Sequence, residues 1–494
     1  MSGDNPRQTL RQRGRSLVSA VDGRLGDGLE RAVTDHHRRR LTRLGQGEVL
    51  DARPETGLWA ASAPPPRPGN AIEVLIDGQE ALGAIAAALR SARQSVHIAG
   101  WHITPGFRLE HDKDSTLRAL LADLAERIDV RVLLWAGPPL PAFKPTRDDV
   151  RAVRDELVQG SRIRCALDSR ERTMHCHHEK LVIVDGGLAF VGGIDLTSLD
   201  GDRWDTSEHS PRGAIGWHDV ATRLRGPIVA DVAAHFGRRW QEVTGDPMEA
   251  PSVPQPAGEV ELQLVRTLPE RVYRFSPRGD FQILEVYLRA LRSAQRFVYL
   301  ENQFLWSPEV VAVLADKLRR PPGEDFRVLL LLPAKPNNGA DTTRGQLGCL
   351  VEADAGPGRL LATTINCQMG DTSEPLYVHA KVGIIDDAWM TVGSANLNEH
   401  SLFNDTEVNV VTQDAELVRT TRHRLWAEHL ALPLAEVRGD PVELIDRVWR
   451  PTADEQLRRR TDGEPLTHRL MRLPAVSLRA KRLLGPVRGL LVDG

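Results

Sequence analysis

An eight-residue pattern, His-x-Lys-x-x-x-x-Asp, occurs twice in this chain, as His178–Asp185 and His379–Asp386, with the copies 201 positions apart. Each copy is followed by a matching glycine turn, Gly192-Gly193-Ile-Asp195 in the first and Gly393-Ser394-Ala-Asn396 in the second. Residues two apart on a strand share a face, so each copy is expected to present one imidazole and one ammonium together. Leu181 to Val184 are apolar on both faces, as in a strand buried between helix layers. A polar pair at the entry to such a strand is costly to bury unless chemistry uses it. Of 64 basic residues only seven are lysine, and two of these hold the same motif position. A chain that otherwise uses arginine thus places a compact ammonium there, a point charge suited to phosphate oxygens.

The repeat is longer than the motif. Residues 88–98 align with 290–300, and Leu82, Ile85, Leu89 and Ala92 recur as Leu284, Tyr287, Leu291 and Ala294, a helix-period apolar stripe. Arg131 to Leu134 recurs as Arg327 to Leu330. Each half therefore reads helix, strand, helix, strand, then motif strand and turn, which predicts a duplicated α/β domain with a largely buried sheet. Two His-Lys pairs facing across a pseudo-two-fold axis could flank one phosphorus. One imidazole would attack while the other protonates the leaving oxygen.

The Pro-rich stretches at 63–69 and 251–258 divide the chain into five parts. These are a basic extension with linker (1–69), a first domain (70–250), a linker (251–258), a second domain (259–430) and a basic C-terminal extension (431–494). Residues 1–45 carry +5 and residues 457–494 carry +6, which leaves −14 on the body. No run reaches membrane-spanning length, the N-terminus lacks the apolar core of a secretion signal, and four cysteines are too few for a disulfide scaffold. A cytoplasmic monomer is expected, with basic tails suited to peripheral contact with anionic membrane. The run His175-Cys176-His177-His178 contains metal-ligand types, but no second pair at zinc-site spacing follows, so no metal and no cofactor are expected.

The duplicated motif resembles the signature of the phospholipase D superfamily over roughly residues 70–430. The segments 98–101, 190–196, 203–209, 217–219, 224–227 and 298–303 are similar to the eukaryotic-style, phosphatidylcholine-type branch. The resemblance implies two tandem α/β/α domains related by a pseudo-two-fold axis, with one shared active site. It implies a catalytic set of His178, Lys180, Asp185, His379, Lys381, Asp386, Asn396, Asp219 and Glu407. Within that set His178 is the implied nucleophile and His379 the acid/base, although the motif itself does not choose between them. Lys180, Lys381, Asn396 and Ser394 are the implied holders of the phosphate oxygens, in place of a metal ion. Asp219 and Glu407 resemble the family's histidine-orienting carboxylates. Asp185 and Asp386 fall on the opposite strand face from His and Lys, which suits turn capping or an interdomain ion pair.

The implied substrate is a glycerophospholipid, cleaved to phosphatidic acid and free head group, with transfer to an alcohol as a companion reaction. A cardiolipin-synthase-like phosphatidyltransferase and a nuclease use the same chemistry and remain alternatives. The acidic body disfavours nucleic acid as a partner. Both His-Lys pairs are intact, which disfavours a catalytically dead scaffold.

Overall fold

A computed structural model describes residues 28–473, apart from residue 29 and the segments 111–115, 140–143, 173–174, 200–215, 335–339, 357 and 370–371. The 203–209 segment therefore lies outside the described residues, as do residues 1–27 and 474–494.

The first half comprises β1 (Arg67–Ile76), α2 (Asp77–Ser91), β2 (Ser95–Gly100), α3 (Leu117–Ala125) and β3 (Asp129–Trp135), preceded by a helix α1 over residues 30–44. It continues with α4 (Arg147–Val158), β4 (Arg164–Asp168), the motif strand β5 (Leu181–Val184), β6 (Leu188–Gly192), the short β7 (Trp217–His218), β8 (Val220–Arg225) and α5 (Ile228–Thr244). Strand pairing gives the order β4-β3-β2-β5-β6-β8-β1, with β2, β3 and β4 parallel and the rest antiparallel.

The second half repeats the plan. It runs β9 (Val260–Leu268), β10 (Asp280–Phe281), α6 (Gln282–Ser293), β11 (Phe297–Glu301), α7 (Pro308–Arg319), β12 (Arg327–Leu331), α8 (Ala340–Asp354) and β13 (Leu360–Met369). Then come β14 (Thr372–Pro375), β15 (Tyr377–Val378), the motif strand β16 (Val382–Ile385), β17 (Trp389–Gly393), β18 (Glu407–Thr412) and α9 (Ala415–Leu430). Its order, β13-β12-β11-β16-β17-β18-β9, is that of the first half strand for strand. The expected α/β duplication is the architecture observed. One helix and strand per half, α4-β4 and α8-β13, lie between the elements read from periodicity and the motif strand.

Apolar strand residues explain the layering. Leu181 and Ile183 face α5 through Ile228, Val232 and Phe236, while Val182 and Val184 face the α2–α3 side through Leu82, Leu89 and Leu121. A sheet apolar on both faces requires a helix layer on each side, and the helices meet that need with their own apolar stripes.

Two short cross-half pairings bring the motifs together. β7 pairs in parallel with β15, and His177 bridges in parallel to Thr406. The His178 N–H donates to the Thr406 carbonyl at 2.9 Å, and the His379 N–H donates to the His218 carbonyl at 2.8 Å. Each motif is thus tied, by equivalent bonds, to the strand entry that follows the glycine turn of the other half.

Both chain extensions differ from the expected appendages. Within the 1–69 segment, His37 bonds Glu309, Arg40 pairs with Glu270, and the Ala60 N–H donates to Gln263, so residues 30–62 pack on the second half. Within 431–494, α10 (Pro441–Leu444) leads through a π-helical turn into α11 (Arg450–Asp462), and β19 (Leu470–Arg472) pairs antiparallel with β13. Apolar residues hidden in Pro- and Arg-rich sequence, such as Leu41 and Leu470, make these segments part of the core. No helix among the described residues is long and apolar enough to cross a membrane.

Candidate functional site

The two motif pairs lie at the strand entries, just before β5 and β16, where the backbone has left the ladder. The His178 and His379 rings face each other with centroids 6.4 Å apart and planes at 66°. Both side chains are buried. Lys180 donates to the carbonyl of His178 at 2.7 Å, and Lys381 makes the equivalent bond to the carbonyl of His379. The structure therefore brings all four motif residues together from sites 201 positions apart in sequence.

The orienting carboxylates are exchanged between halves. Glu407, at the start of β18, places Oε1 3.0 Å from Nδ1 of His178. Asp219, at the entry to β8, places Oδ2 2.6 Å from Nδ1 of His379. Gly193 makes the second contact possible, because a Cβ there would sit 2.1 Å from Oδ1 of Asp219. Its counterpart is Ser394, whose hydroxyl donates to Oε2 of Glu407. Ser394 was expected to hold a phosphate oxygen. Instead its hydroxyl is committed to Glu407, and its carbonyl lies 3.2 Å from Nδ1 of His178.

The lysine environments are asymmetric. Lys180 pairs with Asp195 at 3.1 Å, whereas Lys381 faces Oε1 of Gln303 at 3.4 Å, and Asn396 donates to that same oxygen at 3.2 Å. Asp195 and Asn396 hold equivalent turn positions, so a charged partner in one half is replaced by amides in the other. Oδ1 of Asp195 and Oδ1 of Asn396 are both buried without a hydrogen-bond partner.

Electrostatics follow from burying this many charges. Burial pushes Lys381 down to about 7, reinforced by Lys180 and opposed by Asp219 and Glu407. Burial pushes Asp219 up to about 6 against the pull of Lys381, and holds Glu407 well above the usual carboxylate range against the pull of Lys180. Two buried ammonium groups that repel each other gain from an anion placed between them. The arrangement has the charge pattern of an anion site flanked by two oriented imidazoles.

Asp185 and Asp386 lie away from this centre. Both adopt left-handed backbone, with φ of 52° and 53°. The Asp185 carboxylate accepts the backbone N–H groups of Arg93, Gln94 and Ser95, and Asp386 accepts those of Gln295, Arg296 and Phe297. Each sits in the turn after its motif strand and its carboxylate caps the turn before β2 or β11, and among the described residues neither forms an interdomain ion pair.

Several supporting residues had no role in the sequence reading, although some stood inside the segments it singled out. Asp77 accepts both the His218 Nδ1 proton, at 2.7 Å, and the Asp219 backbone N–H, at 3.0 Å. Nε2 of His218 meets Glu301 at 2.9 Å. Burial disfavours charge on His218, but the Asp77 and Glu301 carboxylates outweigh it and raise its affinity for a proton. Trp217 packs against His379 with centroids 4.3 Å apart, and Gln303 also donates to the Tyr377 hydroxyl at 2.9 Å. Ser401 donates its hydroxyl to Glu407. A polar residue on an apolar strand was the available signal for Glu301; for Ser401 there was none.

A duplicated mixed α/β sheet with facing His-Lys pairs defines the class. The family model described as "Cardiolipin synthase, PLD-like domain" matches residues 287–427. Phospholipase D A of Dictyostelium discoideum is 23% identical across 77% of this chain and 37% of its own length. Phospholipase D2 of Bos taurus is 25% identical across 72% of this chain and 50% of its own. This chain thus spans half or less of those two relatives. Among solved structures, phosphatidylserine synthase of Haemophilus influenzae Rd KW20 shares the fold, with a TM-score of 0.52 at 13% identity, over 78% of this chain and 94% of the other. These likenesses support placing the chain with the phospholipase D superfamily.

Proposed function

We propose that this protein is a phosphodiesterase that cleaves the head-group bond of a glycerophospholipid through a phosphohistidine and passes the phosphatidyl group to water or a small alcohol. The observation that carries this reading is the facing pair His178 and His379, each held at Nδ1 by a carboxylate from the other half. With Nδ1 engaged, Nε2 is the nitrogen assigned to phosphorus or to a transferred proton. Nε2 of His178 forms a bond to phosphorus as the bond to the head-group oxygen breaks, and the His379 imidazolium gives that oxygen its proton. His379, now neutral, takes a proton from water or an alcohol, whose oxygen bonds to phosphorus as the P–N bond breaks. Lys180, Lys381 and Asn396 hold the non-bridging oxygens, where negative charge is concentrated in the transition state.

Two considerations favour lipid over nucleic acid. The relatives named above are phospholipases, and the −14 body lacks the net charge expected of a polyanion groove. The matched cardiolipin-synthase-type domain supports a second reading, in which an alcohol and not water is the normal acceptor.

One assay separates these. Phosphatidylcholine vesicles with rising ethanol should give constant choline release while product shifts from phosphatidic acid to phosphatidylethanol. Negligible phosphatidic acid without alcohol, with full activity in its presence, would favour the transferase. DNA cleavage lost in His178→Ala, with no choline release from wild type, would overturn the lipid reading.

A further inference from the structure

Beside the catalytic pair lies a second cluster with a different character. His175, three residues before His178, meets His400 across the halves with their Nδ1 atoms 2.9 Å apart. Oδ1 of Asp405, two residues before Glu407, lies 3.5 Å from Nδ1 of His175. His400 opens a π-helical turn, His400–Asn404, closed by the Asp405 N–H to the His400 carbonyl at 2.8 Å. That wider turn brings residues five apart in sequence to one side, and such turns recur at functional sites.

The cluster is poorly satisfied by protons alone. Two Nδ1 atoms 2.9 Å apart have room for one proton between them, so one nitrogen offers a lone pair, and the carboxylate oxygen approaches the same space. Asp405 is fully buried, and among the described residues no Arg or Lys pairs with it. Its Oδ2 and Nε2 of His400 are buried without hydrogen-bond partners. The Cys176 N–H donates to Oδ1 of Asp405 at 2.9 Å, which leaves Oδ2 as the buried oxygen without a partner, a costly arrangement. The other buried His-acid groups are built differently. In His218, Glu301 and His429 each imidazole nitrogen in contact meets a carboxylate oxygen, at 2.9 and 3.0 Å, so protons suffice.

We infer that His175 Nδ1, His400 Nδ1 and an Asp405 carboxylate oxygen form a binding site for one divalent transition-metal ion, with zinc the best match. Two imidazoles and a carboxylate suit zinc, whose ligand bonds of about 2.0–2.1 Å place neighbouring ligand atoms about 3.4 Å apart. The observed separations of 2.9 and 3.5 Å bracket that value, and the three ligand atoms all lie within 4.8 Å of one another, so small side-chain shifts would bring them to an ion. His175 is the more exposed of the three and marks the side from which an ion and a water ligand enter. The ion is a brace: it ties the segment leading into His178 to the segment leading into Glu407, whose mutual contact orients the imidazole. The inference does not depend on which phosphodiester the protein cleaves.

The test uses full-length protein stripped with chelator, then titrated calorimetrically with zinc chloride at neutral pH. Wild type should take up one zinc with a Kd of about 1 µM or tighter, and its Tm should rise with zinc. His175→Gln and His400→Gln should each weaken binding by at least about 100-fold, whereas His379→Gln should bind zinc as wild type does. Cobalt(II) offers a readout independent of variant folding. The wild-type complex should show visible bands of a four-coordinate nitrogen–oxygen site, without a thiolate charge-transfer band. Wild-type affinity weaker than about 100 µM, undiminished binding in both glutamine variants, or thiolate bands would overturn the assignment.

Discussion

Oδ2 of Asp219 lies 2.6 Å from Nδ1 of His379, although the two residues belong to different copies of the duplicated domain. The reciprocal contact, Glu407 on His178, completes an exchange in which neither half owns a finished histidine-carboxylate pair. A single half would hold an imidazole without its orienting acid and an acid without its imidazole. The exchange gives a physical reason for the halves to remain fused and packed. It also makes the site sensitive to changes in either copy.

His178→Ala and His379→Ala should each lower turnover of phosphatidylcholine by about three powers of ten or more, because neither imidazole can perform both steps. They should differ on a nitrophenyl phosphodiester, whose leaving group needs no proton. There His379→Ala should show a burst of nitrophenol matching one phosphohistidine per chain, and His178→Ala should show none. A burst from His178→Ala alone would exchange the two roles.

Asp219→Asn should act through His379, and Glu407→Gln through His178, by loss of tautomer and orientation. Each should cost about 10- to 1000-fold in kcat with little change in KM. The leaving-group test separates them again: Asp219→Asn should spare the nitrophenyl burst, whereas Glu407→Gln should slow it.

The pH profile follows from three shifted groups, and Glu407, raised by burial and holding His178, acts on the acid side together with Asp219. Asp219 must be ionised to hold His379, so kcat/KM should fall as pH drops through about 6. Lys381 must be charged to hold phosphate, so kcat/KM should also fall as pH rises through about 7. Asp219 and Lys381 attract each other, so the observed limits belong to the pair. A bound phosphate anion favours the charged lysine, so the alkaline limb of kcat should lie at higher pH than that of kcat/KM. Coincident alkaline limbs would contradict a role for Lys381 in binding the anion.

Asp185→Ala and Asp386→Ala should each destabilise the fold by about 1–3 kcal/mol, since each removes the acceptor for three turn N–H groups. Activity per folded molecule should stay near wild type. Denaturant melts with active-site titration check both statements, and a loss of kcat in well-folded Asp386→Ala would place that carboxylate in the chemistry.

Truncation separates tail from core. Removing residues 457–494 takes away β19, including the buried Leu470 and Met471, and should give unstable protein. Removing 1–27 and 474–494 together deletes nine basic and four acidic residues while sparing every described element. That variant should bind anionic vesicles more weakly at low salt, yet turn over a soluble diester as the full chain does. Unchanged vesicle sedimentation would remove the tails from membrane contact.

Much of this protein is legible in its sequence alone. The duplication, the α/β class, the buried motif strands and the four motif residues all follow from local pattern. Periodicity and spacing are properties of single segments. Strand alternation sets Asp185 and Asp386 on the face opposite His and Lys, because alternation is also local, but the choice between turn capping and an interdomain ion pair needs the packed structure. What tertiary structure decided is every relation between halves. Sequence placed Asp219 and Glu407 at matching strand entries, but the swap to opposite histidines depends on how β7 meets β15 and how His177 meets Thr406. The resemblance implied Ser394 as a phosphate ligand, but its hydroxyl is set on Glu407, which only packing reveals. The run His175-Cys176-His177-His178 has no second ligand pair at zinc-site spacing in the sequence, yet packing brings His400 and Asp405 to His175 from 225 and 230 positions away. The residues that pair across this interface are remote in the chain, and one sequence carries no local signal for a contact made between two separately folded surfaces.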